Sequence, residues 1–404
     1  MVQKRTKTAA FLALAFLIII TSGCWDAREL NRRAIVSGIG IDRSKEGFLV
    51  SLQVIIADEI SGKIGRGGTP TSVYSASGRS VVEAMRNVSL KVPRLISTAQ
   101  TRMVVISEEV AREGISGIVD FLDRDSDLRL STQLYVARKG TRALDIVSAI
   151  TPLGRITAYA LVQKTELAAN ELGANFSLEI DDVIRGLLAP GGGPVMNGLN
   201  ILGDLKKSGD KSNLERTNAQ GVVIIDDMAI FKGDKLVGWM DLEECKGLVW
   251  AMNKMKKTVV VVKDETDHEE ITMDVFETST ATKVDISNPL KPVIQLRVKP
   301  QISIREAGTS TDLRDPRVLA KIEEKANKVI AAKLEGAVAK AQGLKSDIFY
   351  FGQQIERQNP KVWSRISGQW EAIYPTIEVR CEVESIIRNT QMRDRSYKYN
   401  IKSK

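Results

Sequence analysis

Histidine occurs once in this 404-residue sequence, at position 268, and cysteine three times, at positions 24, 245 and 381. One imidazole excludes the common zinc sites, whose His and Cys ligands come in short-spaced pairs. It also leaves a serine nucleophile without a suitable base. His268 stands among Asp264, Glu265, Asp267, Glu269 and Glu270 in KDETDHEE, and there is no G-x-S-x-G elbow. That acidic stretch lacks the glycine of a calcium loop and reads as a solvated hairpin tip between two strands. Three cysteines do not make a disulfide framework. Cys245 and Cys381 could pair only if the fold brought their Cα atoms within about 7 Å, and the plainer reading is two separately buried thiols.

Other absences narrow the class further. Aromatic residues make up 5% of the chain, and the net charge of +8 is not gathered into a basic stripe interleaved with aromatics. That argues against a nucleic-acid binder and leaves a modest attraction to anionic lipid. The longest apolar run, AAFLALAFLIII, has 12 residues, whereas a membrane-crossing helix needs about 20. Gly38 and Gly40 form a GxG without its third glycine, inside a strand pattern, which argues for close packing against a neighbour. APGGGP, 189–194, has no following Gly-Lys-Ser/Thr, so it reads as a hinge or loop and not as a phosphate loop. Nothing singles out a pair among the 50 acidic residues, so no catalytic, cofactor or metal residue is assigned.

What is present starts at the N-terminus. Lys4, Arg5 and Lys7 precede the apolar run, and Thr21, Ser22 and Gly23 lead into Cys24. A basic end, a short apolar segment and small residues at a cut are the plan of a secretory signal. A cysteine directly after the small residues makes it a lipoprotein signal: cleavage falls between Gly23 and Cys24, and the Cys24 thiol carries diacylglycerol while its new amine carries palmitate. The chain beyond Cys24 then lies outside the cytoplasm, held to the bilayer by its acyl chains.

Hydrophobic content of 43% and charged content of 27% describe an ordinary globular body, with length enough for two or three domains. Strands are predicted at 32–42 and 48–56, then a helix over 79–91 with Val82, Met85, Val88 and Leu90 inward, then a strand at 101–107. Ser107 caps a helix with Glu108 and Glu109 in its first turn, and STQLYVAR follows as a strand. Residues 151–190 read as helical, with Ser177 as a cap. From 258 to 305, TVVVVK, EITMDVFET, ATKVDIS and VIQLRVKPQISI alternate like an antiparallel meander with one wet face. An amphipathic helix is expected over 315–342, with Pro316 in its first turn. A last strand falls at 376–387.

The fold class is therefore α+β and multi-domain, with mixed β-sheets flanked by helices on a lipid-anchored extracytoplasmic body. The expected divisions are a signal at 1–23, an N-terminal α/β domain at 24–202, a polar linker at 203–220, a β-rich middle domain at 221–305, a C-terminal α+β domain at 306–390 and a basic tail at 391–404.

Residues scattered along the whole mature chain carry a resemblance. The first group follows the lipid cysteine in CWDARELNRRAIVSGIGID: Cys24, Trp25, Asp26, Glu29, Leu30, Gly38, Gly40 and Asp42. A second comprises Glu108, Ala111, Gly114, Arg124 and Asp125, and a third Lys232, Asp234, Gly238, Gly247 and Trp250. The last comprises Asp347, Gly352, Pro360, Trp363, Trp370 and Pro375. In this order and spacing they resemble the Ger(x)C family, the C-subunit lipoproteins of spore germinant receptors. Tyr374 stands where that family has Phe, and NTQM replaces its usual basic-Thr-Gly ending.

The resemblance implies three mixed α/β domains on the outer face of the spore inner membrane, needed for nutrient-triggered germination. It implies no enzymatic activity and no cofactor. The implied partners are a multi-spanning A subunit, a transporter-like B subunit and, through Cys24, membrane lipid. Germinant specificity is placed with the B subunit, so small-molecule binding is not expected. The rival class is an extracytoplasmic solute-binding lipoprotein, which requires a deep cleft between two similar lobes.

Overall fold

The computed structural model describes residues 32–61, 68–264, 269–308 and 312–390. Their strands assort into two sheets. The larger is built on β1 (Arg33–Ser44), a run of alternating small and branched residues that buries both faces. Antiparallel β2 (Gly47–Ile55) and β3 (Thr71–Gly78) extend it on one side, and β4 (Leu95–Ser97) pairs with the start of β1. On the other side lie β5 (Met103–Ser107), β6 (Gln133–Ala137) and β7 (Val195–Gly203), all parallel, then antiparallel β8 (Gly221–Lys232) and β9 (Lys235–Met240).

A bulge between Val36 and Gly38 decides the packing of β1. It adds one residue to the period of two, so Ala34, Val36, Ile39 and Ile41 all reach the same core. Helices Val81–Val88, Glu108–Glu113, Ser116–Arg124 and Ile180–Leu188 contribute to that core. Helices Ala143–Ser148 and Thr157–Glu171 cover the opposite face, over Met103, Val105 and Tyr135. The first domain is thus a three-layer sandwich with a mostly parallel centre.

The smaller sheet joins β10 (Thr258–Lys263), β11 (Glu270–Asp285) and β12 (Val293–Ala307) in an antiparallel meander. The expected pair of strands in the middle is one 16-residue strand, β11. Parallel β13 (Glu378–Val383) and β14 (Ile386–Asn389) succeed one another along the edge of β12. A parallel return needs a crossover, and helix Pro316–Gly343 supplies it. Asp315 caps that helix, Pro316 fills its first position, and Ile322, Ile330 and Leu334 are fully or almost fully buried. Each such side chain contributes about 1.5–3 kcal/mol of hydrophobic stabilisation.

Several local expectations differ from the structure. Helix Val81–Val88 turns Val81, Ala84 and Val88 inward and leaves Val82 at 50% and Leu90 at 87% exposure. The reason is Gly78: a Cβ there would lie 2.4 Å from the Ala84 amide, so the small residues mark the closest approach of helix and strand. Ser177 does not cap helix Ile180–Leu188. Glu179 occupies that position in a capping box with Asp182, while the Ser177 hydroxyl accepts a hydrogen bond from Gln133. Segment 203–220 connects β7 and β8 within the larger sheet, and 221–305 is shared between the two sheets. The expected three units are therefore two, because β8 and β9 find their hydrogen-bond partners in β7.

Candidate functional site

Gly23, Cys24, Trp25, Asp26, Glu29 and Leu30 lie outside the described residues, as do His268 and the tail 391–404. Among the described residues no helix is long and apolar enough to cross a membrane, and no group of three His, Cys, Asp or Glu is placed to hold a metal ion. Cys245 is buried, Cys381 half-buried, and both thiols are free; burial pushes Cys381 up to about 12 and Cys245 further still.

Several of the remaining residues that carry the resemblance gather in two places, while Arg124 and Asp125 lie apart at the end of helix Ser116–Arg124. The first is the carboxyl end of the parallel strands, where strand order reverses between β1 and β5. A cleft of about 540 Å³ opens there. Open α/β sheets commonly place ligands at such a point. Here, however, most of the polar groups serve one another, although Nη1 of Arg138 is buried without a hydrogen-bond partner. Asp42 accepts hydrogen bonds of 2.8 Å from the Ala143 and Leu144 amides at the start of helix Ala143–Ser148. Burial raises its pKa, and those two bonds oppose the rise. Gly40 makes room for this helix start, since a Cβ would sit 3.0 Å from the Ala143 carbonyl carbon. Glu108 takes Arg112 on one oxygen and the Lys139 amide on the other, at 2.6–2.9 Å. Burial pushes its pKa up, but these partners together hold it below the usual range. Arg43 pairs with Glu113 and Arg142 with Asp145, at 2.8 and 2.7 Å. The first pair ties β1 to helix Glu108–Glu113, and the second lies at the start of helix Ala143–Ser148.

The second place is the junction of the two domains. Gly114 adopts φ +136° and lies against Asp234, whose carbonyl accepts from the Ile115 amide at 2.9 Å. Two residues earlier in the chain, Lys232 forms an ion pair with Glu371 of the second domain. Gly238 leaves room for Leu344 and Gly247 for the Lys333 carbonyl. The glycines of APGGGP press on the second domain: a Cβ at Gly191 would meet the Trp370 ring and one at Gly192 the Tyr350 ring.

Beneath them lies Asp347, 1% exposed. It accepts from the Phe351 and Gly352 amides at 3.0 and 2.7 Å and from the Trp370 indole at 3.1 Å. Burial pushes its pKa up to about 6, against those three hydrogen bonds. Trp363 meets Trp370 edge-on at 5.4 Å. A Cβ at Gly352 would lie 2.7 Å from Trp363 and 2.8 Å from the Pro190 carbonyl, so these residues form one packed unit with the glycine loop.

The two sheets and their junction define a class, the two-domain mixed α+β body of spore germination proteins. Residues 26–201 match the spore germination protein N-terminal domain, and residues 226–391 match the spore germination B3/GerAC-like C-terminal domain. Spore germination protein KC of Bacillus subtilis (strain 168) is 32% identical over 393 residues, covering 95% of this chain and 96% of that protein. The putative spore germination protein YfkR of the same organism is 25% identical, covering 93% of this chain and 95% of its own. The crystal structure of the GerBC protein superposes with a TM-score of 0.55 at 19% identity, over 87% of this chain and 97% of that one. The chain belongs to the Ger(x)C family of spore germination proteins.

Residue types and order made the two clusters visible as family marks, but not their purpose. Their members come from segments as far apart as Gly114 and Glu371, and no local spacing signals that Asp347 and the 189–194 loop meet.

Proposed function

We propose that this chain is the lipoprotein subunit of a nutrient germinant receptor, tethered by Cys24 to the outer face of the spore inner membrane. It works by holding membrane partners and not by catalysis. The observation that carries the reading is its end-to-end match with proteins named for spore germination. The leader that stops at Cys24 supports the tether. Each buried methylene of an acyl chain contributes about 0.8 kcal/mol, and two or three chains hold where one does not. Confinement to the membrane raises the effective concentration of the body beside the multi-spanning A subunit and the transporter-like B subunit without any new contact. The two domains, fixed to each other at the Asp347 junction, present one rigid surface to those partners.

Replacing Cys24→Ala tests the tether. The expected result is a folded body that moves from the membrane pellet to the soluble fraction, with nutrient-triggered germination reduced. Retention in the pellet at undiminished yield contradicts the anchor. Normal nutrient response in spores lacking the chain contradicts the receptor role.

A further inference from the structure

Between helix Ile180–Leu188 of the first domain and residues 348–357 of the second lies a cleft of about 320 Å³, at the small end of ligand-binding pockets. Its walls are apolar: Phe176, Leu178, Val195, Met252 and Ile348. Three of its polar side chains, Lys254, Arg357 and Tyr350, form no ion pair or hydrogen bond among the described residues. Arg185 is neutralised by Asp181 and Asp182, each at 2.9 Å, and Asp182 also accepts from the Glu179 amide. Lys254 and Arg357 line the same cleft; neither forms an ion pair among the described residues, and the Asp182 carboxylate acts on Lys254 only through its field, opposed there by Arg185. Lys254 is an exposed residue overall, yet its ammonium stands 4.4 Å from the centre of the Phe176 ring, and desolvation lowers its pKa. An ammonium held over an aromatic wall, with the exposed Arg357 guanidinium lining the same cleft and Asp182 already matched to Arg185, leaves the cleft with positive charge in excess, which favours an anion.

Tyr350 completes the arrangement. It sits in the left-handed region at φ 58°, ψ 36°, a costly conformation for a residue with a Cβ. Two glycines admit its ring: a Cβ at Gly186 would lie 2.9 Å from the phenol oxygen, and one at Gly192 2.9 Å from the ring. The strained turn and the two glycines hold the hydroxyl at the cleft wall, where it makes no hydrogen bond within the chain. Burial pushes its pKa up to about 12, so it remains a neutral donor.

We propose that this cleft binds a small amphipathic carboxylate, its anionic end held by Lys254, Arg357 and the Tyr350 hydroxyl and its apolar end against Phe176 and Met252. Because the walls come from both domains, an occupant bridges the junction. The family resemblance does not imply such a site, and the tethered-subunit reading does not depend on it.

The test uses the full chain in nanodiscs of zwitterionic lipid, with equilibrium dialysis of labelled phenylacetate and of phenylacetamide. The expected result is saturable binding of one phenylacetate per chain and none of the amide. Lys254→Gln and Tyr350→Phe should each weaken binding about tenfold, the loss of one charge-assisted or neutral hydrogen bond. Lys254→Arg should restore most of the affinity, and Lys235→Gln, on the exposed side of β9, should change nothing. Absence of saturable phenylacetate binding, equal binding of the amide, or unchanged affinity in Lys254→Gln with a wild-type melting curve overturns the proposal.

Discussion

At the scale of single residues, Asp347 is the most informative group. A carboxyl group removed from water and facing only N–H donors favours its neutral form until burial is offset, and here the balance leaves its pKa at about 6. In the unfolded chain an aspartate titrates near 3.9. Between these two values the folded state binds the extra proton, so this group's contribution to stability falls as pH rises from about 4 to about 6 and is flat above that. Asp347→Asn removes the titration. Urea unfolding of both forms at the two ends of this window should therefore show the wild type losing on the order of 2–3 kcal/mol relative to the variant as pH rises. An equal difference at both pH values would mean that Asp347 does not titrate there. The family resemblance marked Asp347 in the sequence. Its burial and its indole partner were not legible, because Trp370 and the 189–194 loop reach it only through the tertiary fold.

At the scale of elements, the crossing of helices Leu242–Ala251 and Pro316–Gly343 sets the shape of the second domain. A Cβ at Gly247 would lie 2.0 Å from the Lys333 carbonyl oxygen, so the two backbones touch at that point. Gly247→Ala must push the helices apart and should cost about 1–3 kcal/mol, as overpacking does. Gly336 lies on the same long helix with nothing within 4 Å of its Cβ position. Gly336→Ala should be neutral or stabilise by up to about 1 kcal/mol through helix propensity. Chemical denaturation of the two variants separates the readings: equal midpoints would show that the crossing is not tight. The amphipathic stripe of the long helix was legible from 3.6-residue spacing; the strand at β10 was legible too, but not its alternating burial, because TVVVVK is apolar on both faces and Val259 and Val261 are exposed. β3 was not, because TSVYSASG is polar and Ser-rich, with the weak pattern of an edge strand.

At the scale of the whole molecule, the core does not divide where the sheets do. Phe176, Val195, Met228, Ile230 and Met240 of the first domain share one hydrophobic cluster with Leu296, Ile330 and Trp370 of the second. β8 makes this possible by turning Met228 and Ile230 to that cluster and Ala229 and Phe231 to the core beneath the first sheet. Unfolding of the chain should therefore be one cooperative transition, and Trp370→Ala should lower the stability of both domains together by about 3–5 kcal/mol. Hydrogen exchange resolved by segment provides the check. Two separate transitions, or a loss confined to residues 242–390, would show that the domains are independent.

The sequence alone determined what depends on neighbours in the chain. That includes the helix cap at Ser107, the meander and the long helix, all consequences of local hydrogen bonding and periodic burial. Only the tertiary structure decided which sheet claims β8 and β9, why the glycines of APGGGP are glycines, and which cations line one cleft with Tyr350. Those outcomes depend on surfaces brought together from distant segments, and excluded volume and charge pairing act between such surfaces only after the chain has folded.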